Sequence, residues 1–548
     1  MPTGGAAVLD ALATAGVTHV FGIPGVHSLP VYDALPDRDL PRHVLVRHEQ
    51  AAGFMADGYA RASGRPGVCL LASGPGATNA ITAVAEAWLD SSPVVVVAAG
   101  IPSGARGRDG LHEIEQAATY APITKWRARV ERPEAIGPTL WRALREATTG
   151  RPRPVYVELP FDVLAGTFAA EDAAAGGEPP PAPAPEPAAI DAAVRLLTRA
   201  ERPLVVAGGG AVGAAAEIAA LAERLAAPVV TTMMGRGVVA DDHPLSGGFA
   251  QDLPAASLLA EADVVYAAGC RFSDSSFWHG RTGVFRIPGR LVHVDVDARE
   301  IGKIQAVACG IVGDARAVTA ALCARLSAAD AARRAAVARR LDALARARAD
   351  ALPVSRPGRL GPSAAMRELV AAAPPETLFA CDAGNNTWWA QLFCRVRAPR
   401  SLLAPAGNWT MGFAVPAAIG AKVARPDRPV VAIVGDGGFQ MTSQELATAA
   451  ASGVAVAVVV LNDGCHGAIR NYQRWVYGGR FAAIDVAGPD LAALASALGV
   501  RGTRIERPGE LADAVAAALD TGLPALFDVR IDAEEEIPAW LLDRFYRS

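Results

Sequence analysis

Short runs of apolar, mostly β-branched residues alternate along this chain with segments whose apolar positions recur at helical spacing. In the first block, 18–22, 43–46, 67–72 and 94–99 read as strands, while 5–16, 51–63 and a segment from Ala77 read as helices. The same alternation returns at 204–207, 229–231, 264–267 and 291–294, and again at 430–434 and 454–461. Val-rich strands separated by helices predict parallel sheets covered on both faces, an α/β doubly wound architecture. Three such domains are expected, over 1–166, 189–328 and 360–548, with no internal repeat evident between them. Residues 178–187, EPPPAPAPEP, cannot pack a core and predict an extended linker. The Ala/Arg-rich stretch 328–350 predicts a connecting helix with a solvated basic face.

Composition narrows the function. At 548 residues the chain exceeds one core, and 51% hydrophobic with 20% charged residues is a globular profile. A formal charge of −4 argues against nucleic acid or an anionic membrane as partner. The seven cysteines lack C-x-x-C spacing, so neither a disulfide framework nor a zinc site is indicated. The apolar runs are too short to cross a bilayer, and the N-terminus lacks a basic-then-apolar leader. A cytoplasmic location is expected.

The most informative stretch is 430–467, VVAIVGDGGFQMTSQELATAAASGVAVAVVVLNDGCHG. Two apolar strands flank a segment in which Thr442 and Glu445 predict a T-x-x-E capping box and a following helix. A strand–helix–strand unit makes the strands parallel, with their carboxyl ends on one edge. Asp436 and Asp463, each closing a strand, would then lie side by side despite their separation in sequence. Paired oxygen ligands suit a hard cation such as Mg²⁺ that shares its shell with phosphate. Gly437 and Gly438 leave backbone amides free to approach that phosphate. Asp-Gly alone is also ordinary turn chemistry. The whole unit is more specific.

This unit resembles the signature of thiamine-diphosphate-dependent enzymes, the group of acetolactate synthase, pyruvate oxidase and the 2-oxo acid decarboxylases. In that family the acid of GDG and the last residue of an Asn-Asn pair hold the metal. Here the second Asn is Asp463, which keeps an oxygen ligand and adds charge. The resemblance implies the backbone oxygen of Cys465 as a third protein ligand. It extends over the chain in family order through FGIPGVHSLPVYDAL, RHEQAAGFMADGYARASG, ASGPGATNAITAVAEAWLDS, TTMMGRG, CDAGNN and GNWTMGFAVPAAIGA. It implies pyrimidine-binding, central Rossmann-like and diphosphate-binding domains in that order.

Residue roles follow from the same resemblance. Glu49, which on pattern alone would complement a helix dipole, is implied to contact the aminopyrimidine and promote loss of the thiazolium C2 proton. Pro24 and Asn79 are implied to line the pyrimidine side. Asp382, Ala383, Gly384, Asn385 and Asn386 are implied to lie against the diphosphate, with Met411 beneath the cofactor. His27 occupies a position where some relatives place an active-site histidine, and His112 replaces a glutamine of acetolactate synthases. Both are expected to contact substrate or move protons, whereas His48 and His466 are expected to be structural.

Two departures bear on the reaction. Ser275 and Tyr472 replace an Arg and a Trp of acetolactate synthases, and blocks such as RGRDGLHEIEQ and GAIRNYQ look closer to 5-guanidino-2-oxopentanoate decarboxylase. Non-oxidative decarboxylation of a larger 2-oxo acid is therefore expected, giving an aldehyde or passing it to an acceptor. The alternatives are an acetolactate-synthase-type carboligase and a non-catalytic cofactor-binding relative. The middle block carries G-x-G-x-x-G at 208–213, but its next strand ends without an acid, against nicotinamide binding. FAD remains possible and is not favoured. The resemblance implies a homodimer that completes each site, and since tetramers are common in the family a homotetramer is expected.

Overall fold

In a computed structural model, residues 1–169, 184–273, 277 and 286–547 are described. Most of the expected linker, 178–183, and Ser275 lie outside the described residues. From Pro187 the chain is already helical, in Pro187–Thr198.

Three six-stranded sheets follow one another. The first contains β1 (His19–Gly22), β2 (Arg42–Leu45), β3 (Gly67–Leu71), β4 (Val94–Gly100), β5 (Trp126–Arg129) and β6 (Val155–Pro160), in the order β2-β1-β3-β4-β6-β5. The second contains β7 (Pro203–Ala207), β8 (Val229–Thr231), β9 (Ser246–Phe249), β10 (Val264–Ala268), β11 (Arg290–Asp295) and β12 (Cys309–Val312), in the order β12-β11-β10-β7-β8-β9. The third contains β13 (Leu378–Cys381), β14 (Leu402–Leu403), β15 (Val430–Gly435), β16 (Ala457–Asn462), β17 (Arg501–Ile505) and β18 (Ala525–Arg530), in the order β14-β13-β15-β16-β18-β17. All strand pairs are parallel. The first and third sheets thus share one topology, a structural repeat with no visible counterpart in the sequence. In the middle sheet β9 and β12 join the four strands expected from pattern. Both contain glycines and only two or fewer β-branched residues, too weak a signal to read.

Each sheet has a point where the strand order reverses, and there the loops leaving two strands diverge and open a crevice. In the first sheet it lies between β1 and β3, in the second between β7 and β10, in the third between β13 and β15.

Strand β15 is followed by two short helices and not by the single capped helix expected. Thr442 and Glu445 form no capping box. A helix, Asp436–Thr442, begins at the acid itself, and a second, Glu445–Ala451, follows with Gln444 at its N-cap and no side-chain cap. Glu445 is instead fully buried and serves a tertiary contact. Its oxygens accept from the Arg47 amide at 3.1 and 3.3 Å and from the Thr448 hydroxyl at 2.7 Å.

Arg47 leads into the helix Glu49–Ser63, which His48 caps by accepting from the Gln50 amide. This helix packs along Ala414–Ala424 of the C-terminal domain. The contact is close enough that a Cβ on Gly58 would lie 2.1 Å from the Ala417 carbonyl oxygen, and one on Gly420 would lie 2.0 Å from that of Met55. Phe54 meets Phe413 edge-on at 5.6 Å. Beside it, buried Arg61 bonds Asp57, Asp90 and the Ala404 carbonyl. The first and third domains are therefore docked through a shared core rather than strung on a linker.

Candidate active site

The C-terminal half of the site is the crevice between β13 and β15. Strand β15 pairs with β16 so that Gly435 stands opposite Leu461, which brings Asp436 and Asp463 to neighbouring strand ends. Burial raises Asp436 to about 7, and the charge of Asp463 adds to the rise. Asp463 is also raised by burial, partly offset by Arg470. A cleft of about 360 Å³ opens here. Its lining includes Ala383, Gly384, Asn385, Asn386, Met411, Asp436, Gly437, Gly438, Asp463 and Cys465. The helices Asn385–Phe393, Asp436–Thr442 and Gly467–Trp475 all start at its wall, and none has a side-chain cap. Their first amides are thus left for an anion.

Asp382 is the exception among the residues expected against the diphosphate. It is fully buried behind the wall, where it accepts from the amides of Ala383, Gly412 and Ala414. It fixes the loop carrying Met411 instead of facing the cleft. Burial raises its carboxyl to about 7.

The N-terminal half is the crevice between β1 and β3. Glu49 opens the helix Glu49–Ser63, and its Oε2 accepts from Asn79 Nδ2 at 2.9 Å. Pro24 is exposed in the loop after β1. On the same edge His27 and His112 converge on Ser73. Ser73 Oγ is 2.6 Å from His27 Nδ1 and 3.3 Å from His112 Nδ1. Burial, then the neighbouring His112, hold His27 below the ordinary imidazole range. Sequence reasoning missed Ser73, because its partners come from two distant loops. It also missed Gln116, which takes the Gly74 amide on Oε1 and donates to the Ala99 carbonyl. His466, expected to be structural, lines the C-terminal cleft beside Gly437, where an added Cβ would lie 2.8 Å from the imidazole. Asn471 donates to Asn385 Oδ1 at 3.3 Å, a contact between two motifs that sequence spacing could not disclose.

The cleft with the two aspartates is lined, within one chain, by C-terminal residues alone among those described. Glu49, His27 and His112 are not part of its wall.

Comparison with known proteins agrees with this three-part construction. Residues 2–119 match the model of the thiamine pyrophosphate enzyme N-terminal TPP binding domain, 190–322 that of the central domain, and 382–529 that of the C-terminal TPP binding domain. A probable acetolactate synthase large subunit of Methanocaldococcus jannaschii is 38% identical, covering 98% of this chain and 93% of its own. The chain belongs to the thiamine pyrophosphate enzyme family. A probable 2-ketoarginine decarboxylase, AruI, of Pseudomonas aeruginosa is 41% identical over 86% of this chain and 83% of its own. An acetolactate synthase of Mycobacterium bovis is 38% identical over 98% and 89%.

The residues present fit the family's cofactor. The buried Asp436 and the partly buried Asp463, which raises its ionisation cost, are relieved by a divalent cation, and three uncapped helix starts supply donors for a diphosphate. Two aspartates alone leave the other positions of an octahedral cation to backbone and phosphate oxygens. A hard cation takes oxygen donors, so at Cys465 the backbone carbonyl and not the thiol is the available ligand atom.

A second cleft, also about 360 Å³, occupies the switch point of the middle sheet and includes Gly208, Gly209, Gly210, Gly269 and Arg271. The glycine run there has a packing reason, since a Cβ on Gly208 would lie 2.0 Å from the Gly269 carbonyl oxygen. It is therefore no evidence for flavin by itself. Among the described residues no helix is long and apolar enough to cross a membrane.

Proposed function

We propose that this chain catalyses the thiamine-diphosphate- and Mg²⁺-dependent, non-oxidative decarboxylation of a 2-oxo acid larger than pyruvate, releasing an aldehyde or passing it to an acceptor. The observation that carries this reading is the cluster of Glu49, His27, Ser73 and His112 on one crevice edge. A 2-oxo carboxylate plus one proton gives an aldehyde plus CO₂, so a proton must reach the carbon that loses CO₂. His27 and His112 are the groups suited to deliver it.

The chain's residues divide the work. Asp436, Asp463 and the Cys465 carbonyl would hold Mg²⁺. The amides at Gly384, Asn385, Asn386, Gly437 and Gly438 would take the diphosphate, Ala383 would line its pocket while its amide stays on Asp382, and Met411 would support the cofactor from below. Glu49, kept in place by Asn79, would hold the pyrimidine, with Pro24 on the same side. When bound, thiamine diphosphate supplies a carbon nucleophile for the 2-oxo carbonyl and an electron sink for the pair left by CO₂.

A second copy of the chain would complete each site, and a homotetramer is the assembly proposed. Exposed apolar residues support this. Val26, Leu29, Leu45, Leu111 and Ile114 surround the N-terminal crevice, and Met441, Ile469, Trp475, Tyr477 and Phe481 surround the C-terminal cleft. Two apolar rims of this kind favour burial against each other across a two-fold axis.

The acetolactate-synthase-type carboligase is the second reading, favoured by relatives of that name that cover nearly the whole chain. Product analysis separates the two. With Mg²⁺ and thiamine diphosphate, a panel of 2-oxo acids including pyruvate and 2-ketoarginine is supplied and the products are read by mass. Aldehyde from a larger acid is the expected result. A 2-hydroxy ketone or 2-hydroxy acid from pyruvate would select the carboligase, and no product from any acid would overturn both.

A further inference from the structure

We propose that Ser73 holds His27 and His112 in opposite tautomers, so that the pair offers the substrate one proton donor and one acceptor and passes protons between them without net charge. This rests on the reading of the two histidines as the substrate-facing pair.

Ser73 is fully buried, in the loop that leaves β3. Its single hydroxyl lies between two Nδ1 atoms, at 2.6 and 3.3 Å. A hydroxyl has one proton to donate. The ring that receives it carries its own proton on Nε2. The other ring must then donate from Nδ1 to the Ser73 oxygen, which leaves its Nε2 with a lone pair. If both rings carried Nδ1–H, the buried Ser73 proton would have no acceptor. If neither did, one Nδ1 would go unpaired. Either case costs about 1–3 kcal/mol.

The surroundings fix this arrangement. Gln116 anchors the following residue, Gly74, through its amide. Gly74 leaves room for His112, because a Cβ there would stand 2.7 Å from the His112 Cβ. The His27 ring lies edge-on to Phe161 at 6.1 Å and to His112 at 5.7 Å. Among the described residues, neither Nε2 has a hydrogen-bond partner in the protein, and no carboxylate is bonded to either ring. On the proposed reading, both Nε2 atoms would serve the substrate.

The proton balance closes. The donor ring gives its Nε2 proton to the carbon that has lost CO₂ and takes the Ser73 hydroxyl proton on Nδ1. Ser73 takes the Nδ1 proton of the second ring, and that ring accepts a proton on Nε2 from substrate or water. The two rings and Ser73 finish with the number of protons they began with, and the tautomers have exchanged. Ser73 is thus a positioning residue that acts through the histidines.

The test needs no turnover. In protein labelled with ¹⁵N-histidine and free of substrate, imidazole nitrogen shifts report the tautomer of each ring, with signals assigned through His27→Gln and His112→Gln. One ring should carry Nδ1–H and the other Nε2–H, and Ser73→Ala should abolish that complementarity. In turnover, Ser73→Ala should lower kcat about 10- to 100-fold at unchanged KM and unchanged thiamine diphosphate affinity. The same tautomer on both rings of the unsubstituted protein, or full kcat in Ser73→Ala, would overturn the proposal. If the unsubstituted protein converts no 2-oxo acid, the proposed function fails, while the nitrogen shifts still decide the Ser73 bridge.

Discussion

Asp436 and Asp463 stand at adjacent strand ends in surroundings that resist ionisation, and the charge of Asp463 makes Asp436 harder to ionise still. Such a pair gains when a cation arrives. The two acids are not equivalent, because the family signature has Asn at position 463. Asp463→Asn keeps an oxygen ligand and removes the repulsion, whereas Asp436→Asn removes the charge closest to the GDG backbone. Isothermal titration with Mg²⁺ in the presence of thiamine diphosphate should find Asp463→Asn within about tenfold of the unsubstituted protein. Asp436→Asn should lose more than about 100-fold, roughly 2.7 kcal/mol. Equal losses would mean that the two positions share the ion differently from this account. The GDG and Asn-Asp residues were legible in sequence because a strand end, a turn and a helix start are each written locally. Ser73 was not legible, since its role depends on two imidazoles, 46 and 39 positions away.

Among the elements, the paired helices Glu49–Ser63 and Ala414–Ala424 join the two cofactor-facing domains, and Glu445 ties the loop before the first of them to the helices after β15. The capping expectation failed here for a physical reason. A T-x-x-E pattern describes a local hydrogen-bond exchange, but the Glu445 carboxylate found a backbone partner 398 positions away. Ten strands were readable from their apolar runs, while β9 and β12 were hidden by their glycines and β5, β6, β13, β14, β17 and β18 were not read from pattern. The burial of Glu445 gives a signed prediction. Its folded pKa is raised to about 7 from an ordinary 4.5, with burial as the cause. The folded state therefore prefers the protonated form. Its contribution is fully present below pH 4.5 and is lost as pH rises to about 7. Glu445→Gln escapes that loss. In urea unfolding, the variant should gain on the unsubstituted protein by up to about 3 kcal/mol between pH 5 and pH 8. A stability difference that stays constant over that range would contradict the buried, protonatable Glu445.

At the scale of the whole molecule, one topology appears twice, at the two ends of the chain, and a different one lies between them. Each repeat presents a crevice at the same place in its strand order. One carries Glu49 with the Ser73 histidines, the other carries the aspartates and the uncapped helix starts. Neither crevice alone has both a cofactor anchor and a proton-handling edge. Each is rimmed by exposed apolar side chains that a second copy would cover. The working site is proposed to take its N-terminal half from one subunit and its C-terminal half from another. Co-expression of Glu49→Gln with Asp436→Asn chains tests it most directly, because each variant alone should be inactive. If subunits share sites, random assembly leaves one intact site in each mixed dimer, and about one quarter of the unsubstituted decarboxylase activity should return. Recovery of no activity from mixed assemblies, shown to contain both chains, would contradict the account.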